Sequence, residues 1–281
     1  PDMMFPSTAA LVQHKIGAAG CWGFDLGAAC SGFTFALATA SQLVSTGTHD
    51  CALVVGADVM SSIVDYTDRT TCVLFGDGAG AVLVEPAVEE GLEILGFEHR
   101  IDGSGRDALK MPAGGSLHPA SHETVDKKMH FIKQDGQAVF KFAVRNTEEI
   151  SRSVMEHHGV SARDVALFVS HQANRRIIMS AADRLGFTES QVMINIEDYG
   201  NTTAATIPLA LNDAIAQGRL KKGDLKLTLA ESGTLEARNK VTIRPQIKTS
   251  AKVLAIVDQG TLVKEGDILV ELDKAEVDKE I

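Results

Sequence analysis

Aromatic residues are scarce in this chain: one Trp, two Tyr and eleven Phe amount to 5% of its 281 residues. A core with so few large rings has to be filled by small aliphatic side chains, and the many Ala, Val, Leu and Gly residues point to helices packed closely on a buried sheet. Any apolar run of the roughly 18 residues that a membrane-crossing helix needs is also missing, as is a charged-then-apolar leader. Basic residues are outnumbered, 27 Lys and Arg against 37 Asp and Glu, for a net charge of −10. That excludes a nucleic-acid surface, which requires a basic patch, while leaving room for a local basic spot that meets an acidic partner. The four cysteines, Cys21, Cys30, Cys51 and Cys72, show neither CxxC nor Cys/His metal spacing. No disulfide framework and no metal site is therefore expected, and a reducing, cytoplasmic setting fits.

What is present alternates between strand and helix signals. Phe5 to Ile16 has helical apolar spacing and stops at Gly17, a usual terminator. A short extended piece from Cys21 to Asp25 leads to Cys30, and Ser31 to Val44 is small and apolar throughout, as in a helix buried on most sides. Cys51 to Gly56 is a continuous apolar run suited to a strand covered on both faces. Phe75-Gly-Asp-Gly-Ala-Gly80 then precedes a strand, so its glycines suit a tight turn better than a phosphate cradle, which opens onto a helix. A third strand is expected over Leu92 to Glu98.

Residues 102–126 are polar and rich in Gly, Pro, Ser and His, as in a surface insertion. Their His118 and His122 lie four apart without a supporting carboxylate or cysteine pattern, which does not make a metal site. Beyond them the pattern predicts a long amphipathic helix over 137–158, a strand over 165–169, helices over 175–185 and 204–217, and a strand starting near Leu225. Strand and helix alternate on both sides of the insertion, which predicts a layered α/β protein of two similar halves. The chain opens at Pro1 and enters patterned sequence almost at once, so it is expected to be a segment of something longer.

Three short motifs carry chemistry. Cys30 stands in Ala29-Cys30-Ser31-Gly32-Phe33 at the start of a helix, where unpaired N–H groups favour a thiolate. The surrounding small residues leave space for a substrate carbonyl to reach the Cys30 N–H as an oxyanion donor. His171, in Ser170-His171-Gln172-Ala173-Asn174, ends an apolar strand and keeps one ring nitrogen for chemistry. Asn201 sits in Tyr199-Gly200-Asn201-Thr-Thr-Ala-Ala-Thr-Ile-Pro208, just before an apolar helix. Cysteine, histidine and asparagine together can activate a thiol and then donate two hydrogen bonds to a thioester oxygen on which enolate charge develops.

These motifs, with Phe75-Gly-Asp77-Gly-Ala-Gly80, resemble those of β-ketoacyl-acyl carrier protein synthase III, the initiating condensing enzyme of type II fatty acid synthesis within the thiolase superfamily. The resemblance runs over about residues 1 to 225. It implies a thiolase-like layered αβαβα fold, here incomplete, with 1–101 as the remainder of the first half, 102–130 as the insertion and 131–225 as the second half. It implies Cys30 as the acyl-accepting nucleophile, with His171 and Asn201 donating to the malonyl thioester during decarboxylation. Phe5 matches a phenylalanine beside the acyl pocket, and Arg69 an arginine near the coenzyme A adenine. Asn174 of the histidine motif is carried over as substrate-binding, and Lys141 and Arg176 match basic residues near the pantetheine tunnel and carrier-docking surface. The implied partners are acyl carrier protein, acyl-CoA and a second copy in a homodimer, and no cofactor is expected beyond coenzyme A and phosphopantetheine thioesters. Other condensations of the superfamily, giving quinolone or hydroxymethylglutaryl products, are the alternatives within it.

Two departures stand out. Family members begin roughly half a domain earlier, and their glycine-rich loop before the closing strand is not recognisable in Leu225-Lys-Leu-Thr-Leu-Ala-Glu-Ser-Gly-Thr-Leu-Glu-Ala237. From residue 226 to 281 the chain instead has short β-branched runs and the hairpin signal Gln259-Gly260. This is similar to the barrel-sandwich segment of membrane fusion proteins of secretion and efflux systems, built like biotinyl and lipoyl carriers. The Asp273-Lys274-Ala275 neighbourhood resembles a lipoyl site, but the charged, helix-prone end favours the adaptor. An inactive fusion of a synthase with part of such an adaptor is the reading from another functional class.

Overall fold

The computed structural model describes residues 1–87 and 93–220 in full, together with the backbone of 227–228, 253–256 and 270–272. The chain divides into two compact units, Pro1–Glu236 and Ala237–Ile281.

In chain order the first unit holds α1 (Thr8–Lys15), α2 (Gly32–Ser45), β1 (Ala52–Asp58), β2 (Gly78–Val84), β3 (Ile94–Gly96), β4 (Leu109–Lys110), α3 (His122–Asp126), β5 (Lys133–Gln134), α4 (Gly136–His157), α5 (Arg175–Leu185), α6 (Ile196–Tyr199), α7 (Thr206–Ala216) and β6 (Leu227–Thr228). The second unit contributes β7 (Val253–Ile256) and β8 (Val270–Leu272). These two strands pair antiparallel, with a register shift between Val253 and Ala255. The rest of the expected barrel-sandwich, including Gln259-Gly260 and Lys274, lies outside the described residues.

The segment that leads to Cys30 is fastened by a side chain rather than by a strand. Where an extended piece was expected over 21–25 there is no ladder, and the Asp25 carboxylate instead bonds the first turn of α1. It accepts from the Thr8 and Ala9 amides at 2.7 and 2.8 Å, while Ser7 caps Ala10. A helix starts with unpaired N–H groups, and an anion placed there satisfies two of them at once.

The core beneath the site is formed by α2 lying on the β1–β2 hairpin. Phe33, Leu37, Ala38, Ala40, Val54 and Ala204 are buried together, ringed by Val82, Val84, Ile94 and Ile207. The small residues of α2 let it lie close to the strands, as the composition suggested. β1 and β2 pair antiparallel with Val54 opposite Val82 and Gly56 opposite Gly80.

The glycines of this hairpin do something other than turn the chain. Gly78 and Gly80 lie inside β2, where a Cβ would meet Thr202 at 2.9 Å and Pro208 at 2.8 Å. On β1, a Cβ at Gly56 would strike the Ala204 carbonyl. The tight turn expected for these residues is therefore corrected: their bare backbone admits the segment around Thr202 and the start of α7 at close range.

The second core gathers Ile178, Ala182 and Leu185 of α5 with Phe187 and Val192, joined by Met155 of α4. The strand expected over 165–169 is reduced to a single parallel bridge, Phe168 to Val192. Gln191 explains why, since its side-chain amide takes the carbonyls of Val165 and Ala162 at 2.6 and 2.7 Å. A carbonyl answered by a side chain leaves no ladder to extend. α4 and α5 match the lengths their periodicity predicts, and α5 ends on Gly186 in the left-handed conformation that such a cap favours.

Candidate active site

Cys30 lies in a 3-10 turn, Ala29–Ser31, immediately ahead of α2. The turn is set up by Ala29, a non-glycine residue at φ 47°. It packs against a second 3-10 turn, Thr203–Ala205, which leads into α7, and a Cβ at Gly32 would touch that of Ala204 at 3.6 Å. The cysteine and asparagine motifs, far apart in sequence, are thus neighbours in space.

The expectation that the helix start ionises Cys30 is overturned. The residue keeps partial exposure, but protein surrounds the sulfur, and that desolvation pushes the thiol up to about 11, with the Asp58 carboxylate adding to it. A hydrogen bond from the Cys30 N–H acts in the opposite sense and is outweighed. Burial disfavours the charged form of the thiol. Cys30 is therefore a neutral thiol near pH 7.

His171 stands beside Thr206, the first residue of α7, with Nδ1 2.6 Å from Oγ1. Burial holds its pKa down at about 4, so the ring is neutral near pH 7. Thr206 Oγ1 also lies 2.9 Å from the Thr203 carbonyl, to which it can donate, and a hydroxyl has one proton to give. When that proton goes to Thr203, His171 carries its own on Nδ1 and Nε2 holds a lone pair. When it turns to His171, Nε2 carries the N–H. The first form accepts a proton and the second donates a hydrogen bond.

Asn201 is placed by backbone on both sides. Its N–H donates to Leu74 and its carbonyl accepts from Gly76, each at 3.0 Å, and no side chain at Gly76 obstructs the preceding Tyr199 carbonyl. The side-chain Oδ1 accepts from Thr203 N at 2.9 Å. With the oxygen committed, the Nδ2 hydrogens are what Asn201 has left to offer.

A residue that the motifs did not single out anchors the segment that carries His171. Gln172, 1% exposed, donates to the Ser170 and Met193 carbonyls at 2.9 and 3.1 Å and accepts from Asn195 N at 3.1 Å. A glutamine directly after the apolar run 165–169 and His171 was the available signal: burying its amide requires partners such as these.

The remaining expected site residues fall outside this cluster. Phe5 is 84% exposed ahead of α1. Arg69 is exposed in a turn where Asp68 accepts from Thr70. Asn174 caps α5, its Oδ1 accepting from Arg176 N at 2.8 Å. Arg176 holds its guanidinium 5.4 Å from the Phe140 ring centre, and Lys141 of α4 is exposed. Among the described residues no three His, Cys, Asp or Glu side chains gather as a metal would need, and no helix is long and apolar enough to cross a membrane.

Fold and site together define a thiolase-like layered α/β protein built around a cysteine, a histidine and an asparagine. A family model described as 3-oxoacyl-[acyl-carrier-protein] synthase III matches residues 24–103, and its C-terminal counterpart matches residues 155–237. β-Ketoacyl-[acyl-carrier-protein] synthase III of Solibacter usitatus is 58% identical over 232 residues, covering 82% of this chain and 70% of that protein. The enzyme of the same name from Chlorobaculum tepidum is 54% identical, covering 79% and 68%. The solved structure of the Thermus thermophilus synthase III superposes with a TM-score of 0.71 at 40% identity, over 80% of this chain and 68% of that one. The chain belongs to the β-ketoacyl-[acyl-carrier-protein] synthase III family.

Proposed function

We propose that the chain catalyses the decarboxylative Claisen condensation of an acyl-CoA primer with malonyl-acyl carrier protein, giving a 3-ketoacyl-acyl carrier protein and initiating fatty acid synthesis. The observation that carries the reading is the packing of the Cys30 turn against the 203–205 turn, with Asn201 on one side of that turn and the Thr206–His171 pair on the other.

The Cys30 sulfur attacks the thioester carbon of the primer. A carbon–sulfur bond to Cys30 forms, that to coenzyme A breaks, and the thiol proton leaves with the coenzyme. The high thiol pKa makes a proton acceptor necessary, and neutral His171 with its Nε2 lone pair is suited to it. The Cys30 N–H serves as an oxyanion donor. Malonyl thioester next loses carbon dioxide, and the charge that collects on the thioester oxygen is met by the Asn201 Nδ2 hydrogens and His171 Nε2–H. The enolate carbon then attacks the acyl carbon, and Cys30 departs as a thiolate that takes a proton from water.

Lys141 and Arg176 supply a local positive spot for an acidic carrier protein, Arg69 and Asn174 contact the coenzyme A or pantetheine arm, and Phe5 borders an acyl pocket shared across a homodimer. Separately, the β7–β8 pair within its own compact unit favours a barrel-sandwich-like module at the end of the chain, similar to those of secretion and efflux adaptors. The test is incubation of the chain with a short acyl-CoA and malonyl-acyl carrier protein, followed by mass analysis. Acylation on Cys30 and a 3-ketoacyl-carrier product are expected. Acylation elsewhere, or no product, would refute the assignment and favour the non-catalytic fusion.

A further inference from the structure

Thr203 is a β-branched residue at φ 51° and 4% exposed. Such a residue seldom adopts the left-handed region, and when it does the surroundings have to impose it. Every polar group of Thr203 is engaged. Its N–H donates to Asn201 Oδ1 at 2.9 Å, and its carbonyl lies 2.9 Å from Thr206 Oγ1, the hydroxyl that also meets His171 Nδ1 at 2.6 Å. Its own hydroxyl donates to Asp58 Oδ2. The same carboxylate oxygen accepts from the next amide, Ala204 N, at 3.2 Å.

Asp58 is the last residue of β1, opposite Gly78 across the hairpin, and no sequence motif drew attention to it. We propose that Asp58 is a positioning residue of the condensing site: its carboxylate grips Thr203 through hydroxyl and following amide, and so holds the left-handed backbone from which Asn201 and His171 both take their orientation. This rests on the functional reading above. The hairpin supplies the rigid end of the linkage, since β1 is packed on α2 through Val54. One carboxylate thereby sets two donors that act on the same developing charge. Asp58 touches none of the reacting atoms in this role.

The test compares Asp58→Ala, Asp58→Asn and the double variant Asp58→Ala/Thr203→Gly in the full chain. Asp58→Ala is expected to slow malonyl decarboxylation on the order of a hundredfold, the effect of misplacing catalytic groups by about an ångström, and to slow acyl transfer to Cys30 less. Asp58→Asn, whose side-chain oxygen still accepts both bonds, loses less than Asp58→Ala. Glycine adopts the left-handed backbone without help, so Thr203→Gly in the Asp58→Ala background recovers at least about tenfold of the loss. Lack of recovery, or an Asp58→Asn loss as large as that of Asp58→Ala, would overturn the proposal. Crystal structures of the wild type and Asp58→Ala read the same claim without catalysis. The wild type failing to decarboxylate, while Asp58→Ala releases Thr203 from positive φ and turns the Asn201 amide, would refute the functional reading and support the positioning role. Thr203 and Asn201 unmoved in Asp58→Ala would refute the positioning role whatever the activity.

Discussion

Cys30 in the substrate-free protein should react slowly with iodoacetamide near neutral pH and gain reactivity steadily as pH rises toward about 11. The thiolate is the reacting species, so the rate follows the ionised fraction. At pH 8 a thiol at the usual 9.0 is ionised about one part in ten, whereas one at about 11 is ionised about one part in a thousand. Cys30 should therefore lag an ordinary thiol by about a hundredfold. Cys21 and Cys51 are exposed and Cys72 is half-buried, so the two exposed residues label first and serve as internal references. The assay is timed labelling from pH 7 to 11 with mass mapping of each cysteine. Asp58→Asn removes the carboxylate that helps hold the thiol neutral, and should shift the Cys30 profile to lower pH. The sign for stability follows: a raised folded-state pKa stabilises the fold fully below 9.0, and that contribution is lost as pH climbs through about 11. Labelling of Cys30 as fast as Cys21 or Cys51 at pH 7.5 would refute the argument that burial holds the thiol neutral.

His171 has the opposite linkage. Its pKa is depressed from 6.5 to about 4, so its contribution to stability is complete above 6.5 and disappears as pH falls through 4. The difference in melting temperature between wild type and His171→Gln should change across that window, and a constant difference would count against a buried neutral ring. Asn201→Ala should reduce malonyl decarboxylation by about 3 kcal/mol in barrier, the worth of one oxyanion donor, while acyl transfer to Cys30 falls less; equal losses in stopped-flow and product assays would refute the division of roles. Charge reversal at Lys141 and Arg176 should raise the KM for malonyl-acyl carrier protein at low salt and lose its effect as salt screens it; a salt-insensitive, unchanged KM would return both to ordinary surface charge.

Much of the site was legible because its chemistry is concentrated in short motifs, and a rare combination of cysteine, histidine and asparagine remains rare whatever surrounds it. Helices α4 and α5 were legible for a different reason: one carries a long polar face and the other a clear start and a glycine stop, signals local in sequence. The glycines of β2 were misread because a glycine permits both a turn and a close approach, and only the position of Thr202 and Pro208 decides which. The strand over 165–169 failed at its start because Gln191, more than twenty residues later, intercepts the Val165 carbonyl. The ionisation of Cys30 was misread because a helix start is visible in sequence and the protein enclosing a sulfur is not. Asp58 and Gln172 escaped notice for the same reason, since their partners lie far along the chain.

The bare face of β2 carries a consequence for how this site can vary. Where side chains separate two elements, a change on one side can be absorbed by a different rotamer on the other. Between β2 and the start of α7 the gap is backbone against Thr202 and the rigid ring of Pro208, and no rotamer exists on the strand side to give way. Thr206, two residues before that proline, is the partner of His171. A single methyl added at Gly80 is therefore a displacement of the helix that carries the histidine's partner, while methyls already present at Ala79 and Ala81 on the opposite face of the same strand disturb nothing. Over residues 78–81 of β2, tolerance to substitution should alternate residue by residue, with Gly78 and Gly80 the intolerant positions.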